Sequence, residues 1–394
     1  MDMSPVPAPS RTVILQVLPA LGGGGVERGT VEMAQAIVEA GGTALVASQG
    51  GRMARQVEAV GGRNILLPLA TKNPFGVWRN VRRLEALIRD EGVSLVHARS
   101  RTPAWAAWFA TQRTGVPFIT TYHGTYGESA PGKRRYNSVM ARGEVVIAIS
   151  QFIANLILQR YRTDPARIRV IHRGVDPVAF DPDAVSGERV QRLAEAWHLP
   201  EGRPLIVLPG RLTGWKGQDV LIEALARMTR RDAVAVLVGG AQRQRTAKRL
   251  LAQAGALGVD VRLVGDCDDM PAALLLADAV VNASTKPEGF GRVVIEAQAM
   301  ARPVIATDHG GAVETVEHGA TGWRIPPADP DALASALDHV LAMSAERLAA
   351  LGARSRASVL ANYTVEKMQD ATLDVYREVL GTRAGAEMAA VASG

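Results

Sequence analysis

From Thr12 onward, short runs of β-branched and aliphatic residues alternate with longer segments whose apolar positions follow a helical period and which close on glycine. That alternation predicts α/β units with parallel strands. The strands expected in the first half are Val13 to Val17, Thr43 to Ala47, Asn64 to Leu67, Leu95 to His97, Phe118 to Thr121 and Val145 to Ile149, with Ile168 to Val170 as one more. After these, His172-Arg173-Gly174-Val175-Asp176-Pro177 and then Pro182 interrupt the rhythm, and a domain linker is expected there. A second series starts beyond Pro204, with strands Leu205 to Leu208, Ala233 to Val238, Val261 to Val264, Ala279 to Asn282 and Pro303 to Thr307. Helical periodicity marks Pro330 to Met343, Ala345 to Leu360 and Thr364 to Leu380. Two α/β halves in succession predict two Rossmann-like lobes facing one another.

Composition narrows the class without naming it. At 394 residues the chain can hold two domains, and 47% hydrophobic with 21% charged residues excludes a largely disordered protein. A single cysteine, Cys267, makes no intrachain disulfide and no cysteine-based zinc site. The Pro-rich start, Met1 to Ser10, lacks the apolar stretch of a signal peptide. The longest uncharged apolar run, Val145 to Gln159, is too short to span a bilayer and is broken by Ser150, Gln151 and Asn155. The net charge of +6 conceals an asymmetry: residues 1–180 carry 22 basic against 12 acidic side chains, a net of +10, and the rest 23 against 27, a net of −4. An anionic partner is therefore expected on the N-terminal half, and no nucleic acid is expected.

Three glycine-rich segments carry candidate chemistry. Strand one runs into Leu21-Gly22-Gly23-Gly24-Gly25-Val26-Glu27, where backbone amides at a helix start can approach a ligand, or simply make a tight turn. The turn lacks a G-x-G-x-x-G frame with an acidic residue after strand two, which disfavours a nicotinamide site. The second half opens with Gly210-Arg211-Leu212-Thr213-Gly214-Trp215-Lys216-Gly217, whose two cations either converge on one diphosphate or are solvated surface charges. Further on, Glu288-Gly289-Phe290-Gly291-Arg292 places the amides of Phe290, Gly291 and Arg292 at a helix N-terminus, where negative charge is favoured. Glu296, about two turns after Glu288, can accept two hydrogen bonds from a vicinal diol such as ribose.

Gly210-Arg211-Leu212 with Lys216-Gly217, then Glu288-Gly289-Phe290-Gly291 through Glu296-Ala297, then Pro303-Val304-Ile305-Ala306, resemble in order and spacing the group 1, or family 4, retaining glycosyltransferases of the GT-B fold, of bacterial envelope or lipopolysaccharide type. The resemblance covers most of the chain. It implies an α/β fold of two facing Rossmann-like domains: a leader at 1–11, an acceptor-binding domain at 12–175, a nucleotide-sugar-binding domain at 176–360, a crossover helix at 361–382 packing on the first domain, and a flexible tail at 383–394. It implies further that Arg211 and Lys216 contact the donor diphosphate, Glu288 the donor sugar and Glu296 the ribose. On the N-terminal side, Gly24 and Gly25 match the family's Gly-Gly turn, His123 a histidine near the transferred sugar, and Ser150 a serine after the last strand. Two departures stand out: Ile171-His172-Arg173-Gly174-Val175-Asp176 replaces the family's Pro-Asn-Gly-Val-Asp, and Ala283-Ser284 replaces its Pro-Ser.

The resemblance implies a hexosyl transfer from a GDP- or UDP-linked sugar to a saccharide or glycolipid acceptor, with retention and with no cofactor. Side-chain cations would stabilise the departing diphosphate in place of a metal. Asp266-Cys267-Asp268 is the competing signal, a D-x-D that would hold manganese in another glycosyltransferase architecture; the plainer alternative is that Asp268 or Asp269 caps a helix near Pro271. His123 is otherwise an ordinary structural histidine. A catalytically silent nucleotide-sugar-binding subunit, a phosphorylase and a nucleotide-sugar epimerase on the same fold are the competing functions. Lastly, in Asn73 to Glu91 the residues Val77, Val81, Leu84, Leu87 and Ile88 share one arc and Arg79, Arg82 and Arg83 the opposite one, with Phe75 and Trp78 between. Together with Lys133-Arg134-Arg135, this helix either lies on an anionic membrane surface or presents a solvated basic face. The expected location is cytoplasmic, peripheral on the inner face of the membrane.

Overall fold

The computed structural model describes residues 12–241 and 244–392, with side chains described as far as residue 382; the expected leader at 1–11 lies outside these. Two compact units divide the described chain, one made of residues up to His172 together with those from Met368 onward, the other of Arg173–Lys367. The first unit holds seven parallel strands: β1 (Val13–Val17), β2 (Thr43–Ser48), β3 (Arg63–Leu66), β4 (Leu95–Ala98), β5 (Phe118–Tyr122), β6 (Val146–Ala148) and β7 (Ile168–Val170). Their order in the sheet is β3-β2-β1-β4-β5-β6-β7. The second unit holds β8 (Leu205–Pro209), β9 (Val234–Val238), β10 (Asp260–Gly265), β11 (Ala279–Asn282), β12 (Val304–Thr307) and β13 (Trp323–Ile325), ordered β10-β9-β8-β11-β12-β13. Every pairing in both sheets is parallel.

Parallel strands covered by helices on both faces must be apolar throughout, and β8, β9, β11 and β12 are buried along their whole length. Between them and the flanking helices lies a continuous core that includes Ile206, Leu221, Ile222, Leu237, Ile305 and Leu337. The expected strands recur with each end unmoved or moved by one residue, where pairing frays. The strand not expected is β13, three residues of mixed polarity that pair with β12 through Ile305–Trp323 and Thr307–Ile325.

The final helix, Val365–Ala392, starts later and runs ten residues past the expected end at 382, so its backbone is helical over most of the stretch expected as a tail. From Met368 it belongs to the first unit. A buried polar network holds it there: His97 on β4 makes hydrogen bonds through Nδ1 to the Tyr376 hydroxyl (2.8 Å) and through Nε2 to Thr121 Oγ1 (2.7 Å). Gln369 Nε2 donates to the Glu32 carbonyl at 2.7 Å, and Arg169 pairs with Glu378.

Candidate functional site

In each sheet the order of the strands reverses once, between β1 and β4 in the first unit and between β8 and β11 in the second. At such a reversal the loops leaving neighbouring strand ends part, and a ligand crevice opens at the carboxyl ends. The three glycine-rich segments, after β1, β8 and β11, fall at these two places.

In the second unit, β8 leads into the loop Gly210–Gly217. Leu212 is buried and its N–H donates to the Gly240 carbonyl (3.1 Å), while Gln218 Nε2 donates to the Arg211 carbonyl (3.1 Å), which fixes the loop. Gly217, at φ +75°, caps the helix Gln218–Leu225; a Cβ there would lie 1.9 Å from the Ala283 carbonyl oxygen at the end of β11. Only glycine lets the loop lie this close. Lys216 Nζ sits 2.8 Å from Glu288 Oε2, the two side chains being 17% and 15% exposed. Arg211 is exposed on the same loop.

Glu288 is held from several sides. The Ser284 hydroxyl donates to its Oε1, and Asn282 adds another hydrogen bond. Burial alone would raise this carboxyl, but the charge of Lys216 and the hydrogen bonds from Lys216, Ser284 and Asn282 outweigh it and hold the group below the usual range. His309, after β12, donates through Nε2 to the Ser284 carbonyl at 2.7 Å. The next two residues make a close approach: a Cβ on Gly311 would lie 2.4 Å from Phe290 Cα, and the Gly311 N–H donates to the Glu288 carbonyl at 3.0 Å. Loops after β8, β11 and β12 thus meet around one carboxylate.

Gly291, at φ +82°, caps the helix Arg292–Ala299, so the amides expected at a helix start are there. Phe290 is 2% exposed, and its ring packs edge-on against Tyr363 (5.8 Å). Arg292 and Glu296 form an ion pair at 3.4 Å, 12% and 13% exposed.

In the first unit, Gly24 caps the helix Gly25–Glu39 in an extended conformation, and a Cβ there would meet Glu27 Oε2 at 2.8 Å. Beside this turn lies a cation that the sequence reading did not single out: Arg52 Nε donates to the Gly22 carbonyl at 2.6 Å. His123 follows β5 directly and is half-buried. Ser150 is fully buried and its hydroxyl accepts from the Ile153 N–H (3.1 Å) as the cap of the helix Gln151–Tyr161. The side chain thus has a structural use as a helix cap.

The aspartate-rich turn after β10 is engaged within the protein. Asp266 Oδ1 accepts from the Gly240 N–H at 2.7 Å. Asp269 caps the helix Met270–Leu275 and takes two hydrogen bonds from Arg189 (2.9 and 2.7 Å), which pulls its carboxyl below the usual range. The helix Pro74–Asp90 is capped by Asn73, buries Val81, Leu84 and Ile88, and exposes Arg79, Arg82 and Arg83. Arg82 lies over the Trp78 ring at 4.2 Å, and Arg83 donates to Asn80 Oδ1 at 3.2 Å. Among the described residues no helix is long and apolar enough to cross a membrane.

Ser284, Asn282 and His309-Gly310-Gly311 were not anticipated as parts of the Glu288 cluster. The double glycine after β12 repeats the strand-to-Gly-Gly pattern seen after β1, a signal that was available; Ser284 and Asn282 lie four and six residues before Glu288 and reach it through the fold of the loop after β11.

Two family models match the chain: "Glycosyl transferases group 1" over residues 190–358 and "Glycosyltransferase Family 4" over residues 23–178. A D-inositol 3-phosphate glycosyltransferase of Salinispora arenicola is 31% identical over 326 residues, covering 76% of this chain and 72% of the relative. Among solved structures, a glycosyltransferase from Rickettsia africae superposes with a TM-score of 0.86 at 35% identity, covering 94% of this chain and 99% of its own. The Anabaena protein HepE in complex with UDP and glucose superposes with a TM-score of 0.83 at 23% identity, covering 93% of this chain and 100% of its own, a likeness of fold.

Proposed function

The chain belongs to the group 1 glycosyltransferases of GT-B fold, and on that footing we propose that it moves a hexose from a GDP- or UDP-linked sugar to a saccharide or glycolipid acceptor of the bacterial envelope, with retention of the anomeric configuration and without a metal. The observation that carries the proposal is the Lys216–Glu288 pair at the strand-order reversal of the second sheet, one residue before a glycine-capped helix and beside a second such helix start.

When the bond between the anomeric carbon and the diphosphate oxygen breaks, negative charge collects on the diphosphate. Lys216 and Arg211, on one loop, and the amides at the start of Arg292–Ala299 are the groups assigned to that charge. Such preorganised donors supply electrostatic stabilisation without a metal ion. Glu288, kept ionised, accepts hydrogen bonds from donor-sugar hydroxyls, and Glu296 from the ribose diol. On the first unit, His123 and the Gly24–Gly25 turn are assigned to the acceptor side. The name of the Salinispora relative supports an acceptor that is a phosphorylated, hydroxyl-bearing molecule, in keeping with the +10 charge of residues 1–180. The helix Pro74–Asp90, with Arg79, Arg82 and Arg83 outward, is proposed to hold the enzyme on the inner face of the cytoplasmic membrane.

The test is a panel of UDP-, GDP- and ADP-sugars, each incubated with and without envelope saccharide or glycolipid acceptors. Free nucleoside diphosphate appearing only when acceptor is present, with the product's anomeric configuration matching the donor's by proton NMR, is the expected result. Diphosphate release without acceptor, inversion, or epimerised donor would each overturn it.

A further inference from the structure

The transfer chemistry leaves unused an apolar cavity of the first unit. The helices Pro74–Asp90 and Arg101–Thr114 border a cavity of about 460 Å³, lined chiefly by Pro74, Val77, Trp78, Trp105, Phe109 and Tyr136. Its walls are set: Trp105 Nε1 donates to the Tyr136 carbonyl (2.9 Å), and the Trp105 and Phe109 rings lie 6.0 Å apart. A second cavity of about 480 Å³ shares Trp78 and Arg113 with the first and is lined also by Arg82, Glu85, Ala86 and Arg89. Three arginines there face one carboxylate, and Glu85 is already engaged by Arg89 at 2.8 Å and Arg113 at 3.7 Å. Three rings that line the first cavity meet water, Trp78 at 48% exposed, Phe109 at 43% and Tyr136 at 36%, and Phe75, next to Pro74 in the chain, is 80% exposed.

An isolated exposed aromatic needs no explanation, but three lining one apolar cavity mark a binding surface. Apolar walls call for an apolar occupant, and the adjoining arginines call for an anion attached to it. We propose that this double cavity binds a single anionic membrane lipid, one hydrocarbon chain entering between Trp105 and Val77 and its phosphate headgroup resting on Arg82, Arg89 and Arg113. The inference rests on the peripheral membrane contact proposed above and gives that contact a ligand: the enzyme takes one lipid out of the plane instead of lying on a charged surface. Phe75, at the start of the helix, sits where an aromatic ring meets the headgroup boundary.

The test uses the full chain and vesicles of phosphatidylcholine with or without phosphatidylglycerol, the latter also with brominated acyl chains. Val77→Trp fills the cleft and leaves every arginine in place; Phe109→Gln, at an exposed site, removes a wall without adding volume. Expected are co-sedimentation that requires phosphatidylglycerol, bromine quenching of tryptophan fluorescence, and about tenfold weaker binding with loss of quenching in both variants. Arg82→Gln with Arg113→Gln should lower binding and flatten its salt dependence. Wild-type binding and quenching in Val77→Trp and Phe109→Gln would overturn the lipid pocket and leave the peripheral contact standing; equal binding to phosphatidylcholine, or no vesicle binding at all, would overturn both. Nucleoside diphosphate affinity, measured by calorimetry without vesicles, tests the donor site separately.

Discussion

Replacing Lys216 by methionine keeps the length of the side chain and removes its charge, leaving the Glu288 carboxylate with Ser284 and Asn282 as partners. At an effective dielectric of about 20 the direct attraction across the 2.8 Å contact is about 6 kcal/mol. Most of that repays the removal of two charges from water, since the groups keep only 17% and 15% of their exposure. Breaking a fully buried pair from one side costs about 3 to 5 kcal/mol, and the residual exposure here lowers the expected loss to about 2 to 4 kcal/mol. Glu288→Gln leaves a lysine that can swing toward water and should cost about 1 to 2 kcal/mol. In the double variant neither charge is stranded, so its loss should fall short of the sum by about 1 to 3 kcal/mol. Amide hydrogen exchange in β8 and β11 under increasing urea reads the opening of the second unit by itself. Additivity within about 0.5 kcal/mol would refute the view that the two groups satisfy each other in the fold.

Arg211→Ala, at an exposed site, should leave stability unchanged and lower kcat/KM by about 2 to 4 kcal/mol; wild-type kinetics would remove its diphosphate role. Glu296→Gln should weaken nucleoside diphosphate binding by about 1 to 2 kcal/mol in calorimetry, through loss of charge-assisted hydrogen bonds to the diol, and unchanged affinity would sink the ribose assignment. Transfer should survive EDTA, because Asp266, the first aspartate of the D-x-D, is engaged by the Gly240 N–H; abolition restored by manganese would reinstate the D-x-D reading. Burial, with the charge of Arg99, holds His97 well below its ordinary 6.5, so the folded state keeps it neutral while the unfolded chain protonates. Its contribution is full above pH 6.5 and declines as pH falls below that value, by up to about 1.4 kcal/mol per pH unit. His97→Gln should flatten the acid limb of stability in urea unfolding, and an unchanged slope would count against it.

The alternation of apolar runs and amphipathic segments was enough to read two parallel-sheet halves, because strands buried on both faces leave a continuous apolar signature. Trp323–Ile325 escaped because its three residues include a charge and owe their strand state to pairing with β12. At the site, glycines were legible where the backbone needs them, as at Gly217 and Gly291, and so was the Asp269 cap. The side chains around Glu288 were not: Ser284 reaches Glu288 through the fold of the loop after β11, and His309 reaches the Ser284 carbonyl only once β11 and β12 lie side by side. Ser150 was legible as a motif position, and its hydroxyl also caps the helix that follows. The 460 Å³ cavity depends on how two helices pack, which periodicity of either one alone does not encode.

The return of the last helix to the first unit means that this unit is not a contiguous stretch of sequence. A fragment ending at His172 would uncover the side of the sheet occupied by Tyr376 and strand His97 and Arg99, 0% and 2% exposed in the whole chain, without the cover that makes their burial tolerable. A stop codon or bulky fusion in the helix would therefore be felt at the opposite end of the gene product, in β4. Chimaeras that exchange the first unit between relatives must accordingly carry two segments, the N-terminal one and residues from Met368 onward, from the same parent. The same rule offers a reporter: a protease cut within the helix should loosen amides near the N-terminus before those of β8 to β13.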